Sequence, residues 1–355
     1  MRREILRSDP ARALTLLRRA PTVHLATTTP EGEPVLRALD PVVLEDGVYF
    51  HGARAGEKAR CLGRPAVVSA EELVAHVPSW TADPVQGCPA TTLYRSVQVH
   101  GTLSEVTDPG RKAQALEALV LRWQPPGRHL PITAHDPVYR GEVEGTLVLR
   151  VDLARVDGKE KLLQNRRPEE VTRILAGLWE RGEPGDPGAI EAIRAANPAA
   201  PLPPFLAAPA GLRLAVALGE GDTAQAEELL AGEYWWADRP RALIGPALRG
   251  ATAWVGARDH AGRLVAMARA LADPVRAWIY DVVVERGWRG KGLGGRIFQL
   301  LLDHPAVRRA GRVQLTTRDA QHFYERFGFA EAGARRRWAT ESDMVLDRGA
   351  ATTPR

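Results

Sequence analysis

Residues 284–295 read Val284-Glu285-Arg286-Gly287-Trp288-Arg289-Gly290-Lys291-Gly292-Leu293-Gly294-Gly295 and lie between an apolar run and an amphipathic stretch. Glycines at that spacing let backbone N–H groups come close to an anion, and a helix starting there adds the positive end of its dipole. Arg289 and Lys291 add charge at the same point. Together these residues describe a pyrophosphate site. The spacing is neither that of a nucleotide-triphosphate loop, which needs Gly-Lys-Ser/Thr, nor that of a dinucleotide fingerprint, and a glycine-tolerant surface turn shares the composition.

A second group stands at Tyr49-Phe50-His51-Gly52-Ala53-Arg54-Ala55-Gly56-Glu57-Lys58. A strand ends there in a turn of small residues with basic groups, where backbone N–H groups and Lys58 could hold a phosphate. An ordinary charged surface turn reads the same way. His51 by itself is more often packed or solvent-bonded than a ligand. Cys61 and Cys88 sit in neither a metal-type nor a redox-type pair, so no metal site is expected and two reduced thiols in a cytoplasmic protein is the plain reading.

The elements that must position these groups fall into two patterns. Before residue 197, Asp9-Pro10 opens a short helix with Leu14 and Leu17 on one face. Strand-like segments follow at 22–28 and 34–39. Val42-Val43-Leu44 and Val48-Tyr49-Phe50 flank Glu45-Asp46-Gly47, a hairpin signal. Further strands are expected at 94–103 and 146–151. A helix from Asp108-Pro109 carries Leu116, Leu119, Val120 and Trp123 at helical spacing, and another from Pro168 carries Val171, Ile174, Leu175 and Leu178. Short strands with tight turns suggest a small antiparallel barrel. The stretch 198–211, rich in proline and alanine, reads as a semi-rigid linker.

After it the order is helix near 223–230, strands at 253–257 and 264–270, the nearly continuous apolar strand Trp278-Ile279-Tyr280-Asp281-Val282-Val283-Val284, then helix, strand and helix. That alternation is an α/β signature, and the apolar strand is expected to be buried on both faces. Tyr234-Trp235-Trp236 and Trp254 offer aromatic surface, expected to pack against the barrel in preference to binding a substrate.

Size and charge narrow the classes. The 355 residues suffice for two domains, 45% are hydrophobic and 26% charged, and no run approaches the length of a membrane span. The net charge of +5 rests on scattered arginines whose densest cluster is Arg335-Arg336-Arg337. That is the pattern of a solvated face, so neither nucleic acid nor membrane is expected as a partner.

Arg289-Gly290-Lys291-Gly292-Leu293-Gly294 resembles the Arg/Gln-x-x-Gly-x-Gly/Ala signature of the GNAT superfamily of N-acetyltransferases. Leu315-Thr316-Thr317-Arg318-Asp319-Ala320 and Phe323-Tyr324-Glu325-Arg326-Phe327-Gly328-Phe329 resemble that family's closing strand and tyrosine-bearing helix. The likeness covers roughly 212–346. It implies that Val282 and Val284 give main-chain contacts to the pantetheine arm of acetyl-CoA, and that Arg289, Gly290, Lys291, Gly292, Leu293 and Gly294 hold the pyrophosphate. It further implies Tyr324 as general acid for the departing thiolate. An aromatic at core spacing is the other reading of Tyr324. Asp281 or Glu285 could accept the amine proton, and Asp281 could equally be a strand-end hydrogen-bonding residue. Asp319 stands where the family often has asparagine, so one CoA contact departs from the family's pattern.

In the first half, residues 51–58, Cys88 with Tyr94-Arg95-Ser96-Val97, and Gly158-Lys159-Glu160-Lys161-Leu162-Leu163-Gln164-Asn165-Arg166 resemble the split-barrel flavoproteins that include pyridoxamine 5'-phosphate oxidase. The likeness spans about 8–197. It implies FMN, with Lys58 near the phosphate and His51, Gly52, Ala53, Tyr94, Ser96, Gln164 and Arg166 as pocket residues. It also implies a homodimer, since that family's cofactor commonly lies between subunits. Members bind FMN, F420 or haem, so His51 keeps a second reading as an iron ligand. The expectation is therefore a split β-barrel over 1–197, a linker over 198–211, an α/β acyltransferase over 212–347 and a tail. Its function would be an FMN-dependent oxidoreductase joined to an N-acetyltransferase acting on a small amine. The alternative is a flavin- or haem-sensing module joined to the acyltransferase, without redox turnover.

Overall fold

Asp9 starts the first helix: its carboxylate accepts from the N–H groups of Ala11 and Arg12, and Pro10 takes the first position, where no donor is missed. The computed structural model describes residues 4–83, 85–332 and 342–348; Arg335-Arg336-Arg337 lies outside them. In the first half the strands are β1 (Arg7–Ser8), β2 (Val23–Thr28), β3 (Pro34–Leu39), β4 (Val42–Leu44), β5 (Gly47–Gly52), β6 (Pro65–Val77), β7 (Thr91–Glu105), β8 (Leu147–Asp152) and β9 (Arg155–Lys161). The helices among them are α1 (Pro10–Arg19), α2 (Glu57–Arg60), α3 (Pro109–Leu121) and α4 (Arg140–Gly145). The sheet runs β3-β2-β6-β7-β8-β5-β4, with β9 on β7 and β1 on β9.

β7 is the pivot of this sheet. Residues 94–100 pair with β9 and residues 103–105 pair with β8, so one long strand belongs to two layers and curls the sheet around its core. That core is built from Leu17, Leu25, Val68, Val97, Val99, Leu103 and Leu149, among others. The Glu45-Asp46-Gly47 turn joins β4 and β5 as expected. Trp123 departs from expectation. α3 ends at Leu121, and Trp123 is 61% exposed, its indole N–H donating to Asp40.

The second half supplies α5 (Pro168–Arg181), α6 (Asp186–Ala196), β10 (Leu212–Ala215), α7 (Thr223–Leu230), α8 (Ile244–Arg249), β11 (Ala253–Asp259), β12 (Leu264–Ala272) and β13 (Arg276–Val284). They are followed by α9 (Leu293–Asp303), α10 (Pro305–Arg308), β14 (Arg312–Thr317), α11 (Gln321–Glu325), β15 (Ala330–Glu331) and β16 (Ser342–Asp347). Strand order is β10-β11-β12-β13-β14-β16-β15, and only β13 and β14 run parallel among the described pairs. β13 is not buried on both faces: its side chains alternate between buried and half-buried. Its apolar run is continuous because the half-buried face carries Trp278, Tyr280, Val282 and Val284 in place of polar residues.

Contacts divide the chain into one unit of residues 1–74 and 92–164 and a second of 75–91 and 165–355. α5 and α6 therefore fall in the second unit, whereas the sequence placed everything up to 197 with the barrel. The reason is visible in side chains. Arg194 donates to the Leu214 carbonyl, and Glu191 accepts from the Val216 N–H, fastening α6 to β10. Arg308 donates to the Trp179 and Glu180 carbonyls at the end of α5. The proline-rich stretch after α6 is also held: Phe205 stacks on Trp179 at 4.5 Å, and Arg296 donates to the carbonyls of Pro204, Phe205 and Ala207.

Candidate active site

β13 and β14 pair over Arg276–Arg312, Ala277–Val313 and Trp278–Gln314, and no further pairs follow. Past that point the two parallel strands part, which leaves main-chain groups of β13 open toward β14. β13 also carries a bulge: Met267 faces Val283 and Arg269 faces Tyr280, so β12 spends one residue fewer than its partner. Asp281 sits in the bulge with φ +53°, a left-handed conformation that a short polar side chain tolerates better than most.

The Asp281 carboxylate is buried and fully engaged. Oδ1 accepts from the indole N–H groups of Trp235 at 3.1 Å and Trp236 at 2.8 Å, and Oδ2 from Arg269 Nε at 2.5 Å. Of the two roles open to it, hydrogen-bonding anchor and proton acceptor, the geometry matches the first. Tyr234-Trp235-Trp236 thus packs onto this unit's own sheet. Arg269 escaped the sequence reading, although one arginine in the otherwise apolar Leu264–Ala272 strand was a signal that a buried carboxylate must face it. Glu285 takes both Arg263 guanidinium nitrogens, at 2.6 and 3.2 Å.

The glycine-rich turn leads from β13 into α9. Gly290 and Gly292 have φ of +75° and +78°, and Gly292 is the N-cap of α9. The N–H groups of the first turn, from Leu293 on, have no intrahelical acceptor and point out of the helix start. Gly294 lies against Val284 and Phe323, where a Cβ would meet carbons at 3.6 and 3.7 Å. Arg289 is steered in two directions, Nε to the Val284 carbonyl and a terminal nitrogen to Glu233, each at 2.8 Å. The Val284 carbonyl is thereby engaged. Lys291 folds back, donating to the Gly287 carbonyl and lying 5.1 Å over the Trp288 ring. A cavity of about 260 Å³ adjoins the turn, lined by Glu233, Arg263, Val284, Glu285 and Arg289.

Tyr324 lies on α11 facing α9. It is 9% exposed and packs edge-on against Phe298 and Phe323, with centroids 5.0 Å away in each case. Burial, with Tyr234 and Asp319 nearby, pushes its phenol well above the ordinary value, so it keeps its proton. Tyr234 is itself engaged: its hydroxyl accepts from the Arg318 N–H at 3.3 Å, and the Arg318 guanidinium lies 4.0 Å over its ring.

In the first unit the expected pocket residues form two separate groups. Lys58 lies over Gly52, where a Cβ would meet Nζ at 3.1 Å, and His51 and Ala53 are exposed beside it. Arg54 is spent on the Glu144 and Gly145 carbonyls at the end of α4. The other group is Tyr94 with Lys159, whose Nζ donates to the phenol oxygen at 2.5 Å, and Ser96, which pairs with Lys159 across β9. Gln164 closes the turn after β9, bonding the Leu162 N–H and the Glu160 carbonyl, while Arg166 belongs to the other unit. The register puts Phe50, next to His51, level with Glu105 on β7 by way of Leu149. Along β7, Tyr94 is therefore about 35 Å of strand from that level. Among the described residues no cluster of His, Cys, Asp and Glu could hold a metal ion, and no helix is long and apolar enough to cross a membrane.

Comparison with known proteins gives two family matches. Residues 9–160 match the pyridoxamine 5'-phosphate oxidase model, and residues 222–329 match the acetyltransferase (GNAT) family model. No curated protein matches the chain. Among solved structures, a flavocytochrome from Azotobacter vinelandii is 22% identical with a TM-score of 0.38, covering 44% of this chain and 69% of its own. An FAD and heme binding protein from Mycobacterium smegmatis is 23% identical with a TM-score of 0.36, covering 44% and 73%. An acetyltransferase from Streptococcus agalactiae is 15% identical with a TM-score of 0.33, covering 39% and 99%. The chain carries an N-terminal pyridoxamine 5'-phosphate oxidase-like domain and a C-terminal GNAT acetyltransferase domain.

Proposed function

We propose that the C-terminal domain transfers the acetyl group of acetyl-CoA to the nitrogen of a small amine. The observation that carries this reading is the parting of β13 from β14 directly beside the glycine-rich start of α9. One opening offers strand main chain for an amide-bearing arm, and its far end offers unpaired helix N–H groups for a pyrophosphate. The backbone at 290–294 binds the pyrophosphate, and Val282 meets the pantetheine. The thioester then lies toward the bulge at Asp281.

The amine nitrogen attacks the thioester carbonyl carbon. A carbon–nitrogen bond forms, the carbon–sulfur bond breaks, and the electron pair leaves on sulfur. Tyr324 gives its proton to that thiolate and recovers one from water. The amine proton leaves to solvent water, because Asp281 is held by Arg269 and two indoles and Glu285 is held by Arg263. Asp281 acts as an anchor that fixes Trp235 and Trp236 over the bulge. The test is acetyl transfer by the full chain to an amine panel: Tyr324→Phe should lose about 10²-fold in kcat while calorimetric affinity for acetyl-CoA is kept. Undiminished kcat would remove Tyr324 from the mechanism.

For the N-terminal domain the reading is flavin binding, supported by the Lys58 ammonium over Gly52, a cation beside a residue with no side chain to shield it. Lys58 would hold the phosphate of FMN, which supplies hydride chemistry when bound. Tyr94 and Ser96 stand far along β7 from the level of His51, and a second copy presenting them to the same flavin is the arrangement behind the proposed homodimer. Haem on exposed His51 is the other reading. Absorption spectra after adding FMN and then haemin separate the two, and Lys58→Ala should weaken FMN uptake alone.

A further inference from the structure

The bulge leaves an aromatic floor beside the parting of β13 and β14. Trp278 and Tyr280 stand on one face of β13, centroids 6.3 Å apart and inclined by 33°, and both are half-buried. Leu271 faces Trp278 across β12 and is 44% exposed, an open apolar side chain next to two open rings. Gln314 flanks Trp278 on the other side. Trp235, bonded to Asp281, and Tyr234, edge-on to Trp235 at 5.0 Å, bring further rings to the bulge.

The cation over this floor already has its counter-ion. The Arg269 guanidinium lies 4.7 Å over Tyr280 and is paired with Asp281. Asp343 accepts from the Thr316 hydroxyl at 2.9 Å. A second positive charge on an acceptor would meet the Arg269 and Arg318 guanidinium groups, which lie over Tyr280 and Tyr234. A flat apolar ring, in contrast, gains both area and the face-and-edge electrostatics of aromatic pairs.

We infer that the acceptor is an amine carried on an aromatic ring, an aryl- or arylmethyl-amine. Its ring lies on Trp278 and Tyr280 and its nitrogen points to the thioester at the bulge. This rests on the acyl-transfer reading of the same site, and the bond and proton changes are those given above. Trp278 and Tyr280 then set specificity, and no proton passes through them.

The test compares benzylamine with cyclohexylmethylamine, which share the aminomethyl group and nearly the same volume, using the full chain and acetyl-CoA. Benzylamine is expected to have a kcat/KM higher by about 5- to 10-fold, mostly through KM. The preference should fall to near parity in Trp278→Leu and in Tyr280→Leu, with calorimetric affinity for acetyl-CoA unchanged. Equal kcat/KM for the two acceptors, or a preference that survives both substitutions, overturns the inference. Turnover of neither acceptor also overturns it, and the calorimetry then shows whether the transferase reading falls too. If Trp278→Leu instead turns a sedimenting dimer into a monomer, the floor belongs to a second copy and the inference is wrong.

Discussion

The indole N–H of Trp236 lies 2.8 Å from Oδ1 of Asp281, a residue whose backbone φ is +53° in the middle of a strand. A strained backbone conformation survives where its surroundings over-determine it. Two indoles and the Arg269 guanidinium do so here.

Asp281→Asn tests that arrangement. Asparagine keeps one carbonyl acceptor and tolerates the left-handed backbone, but it leaves Arg269, only 7% exposed in its side chain, without a counter-ion. Breaking a buried pair from one side costs about 3–5 kcal/mol. Urea denaturation should show a loss of that order, and a change below about 1 kcal/mol would mean that the cluster does not hold the bulge.

The glycine turn gives a second expectation. Gly292→Ala forces a Cβ into a φ of +78° with nothing crowding the position, so the effect is conformational. Stability should fall by about 1 kcal/mol, and acetyl-CoA affinity by about tenfold because the N–H groups behind it shift. Arg289→Ala should also weaken acetyl-CoA binding, by loosening Val284 and Glu233 together. Full affinity in both variants would place the pyrophosphate elsewhere.

The pH profile of acetyl transfer follows from Tyr324. Burial raises its phenol, so the acid stays protonated across the range where free tyrosine would begin to ionise. The rate should therefore rise with pH as the amine acceptor loses its proton, and hold without a falling limb up to about pH 10. A fall beginning near pH 9 would show that the acid is less sheltered than its packing indicates.

His304 sets a limit on the acid side. It is 4% exposed, caps α10 by accepting from the Ala306 N–H, and lies edge-on to Trp179. Burial, with Arg308 beside it, lowers its pKa from 6.5 to about 4. A depressed histidine stabilises the fold fully above pH 6.5, and that contribution is lost as pH falls toward 4. The amount is on the order of 3 kcal/mol. Melting temperature should drop over that window, and His304→Asn, which keeps an acceptor for the cap, should flatten the slope. An unchanged slope would rule His304 out as the titrating group.

What could be read in advance followed local chemistry. Asp9-Pro10, Asp108-Pro109 and Glu45-Asp46-Gly47 carry their own start and turn signals, and the glycine-rich run marks the entry to α9 because it stands between an apolar strand and an amphipathic stretch. β6 and β9 were missed. Glu71-Glu72 interrupts β6 and β9 is mostly charged, so neither shows an apolar period. Strand pairing, not side-chain pattern, makes them strands. At the site, Tyr234-Trp235-Trp236 was visible as aromatic, but its attachment to Asp281 depends on a bulge that no periodicity announces. The grouping of α6 with β10 rests on Glu191 and Arg194, which on a helix read as an ordinary surface pair.

The division of the chain into units has a genetic reading. The polypeptide leaves the first unit at residue 75, returns at 92 and leaves again at 165. No single recombination point separates the two units cleanly: a break at 165 carries residues 75–91 of the second unit along with the first. A split at 197 would give one product α6 without the β10 strand that Arg194 and Glu191 fasten, and the other β10 without that helix. Exchange of either half that kept both units whole would have to carry residues 75–91 with the C-terminal part.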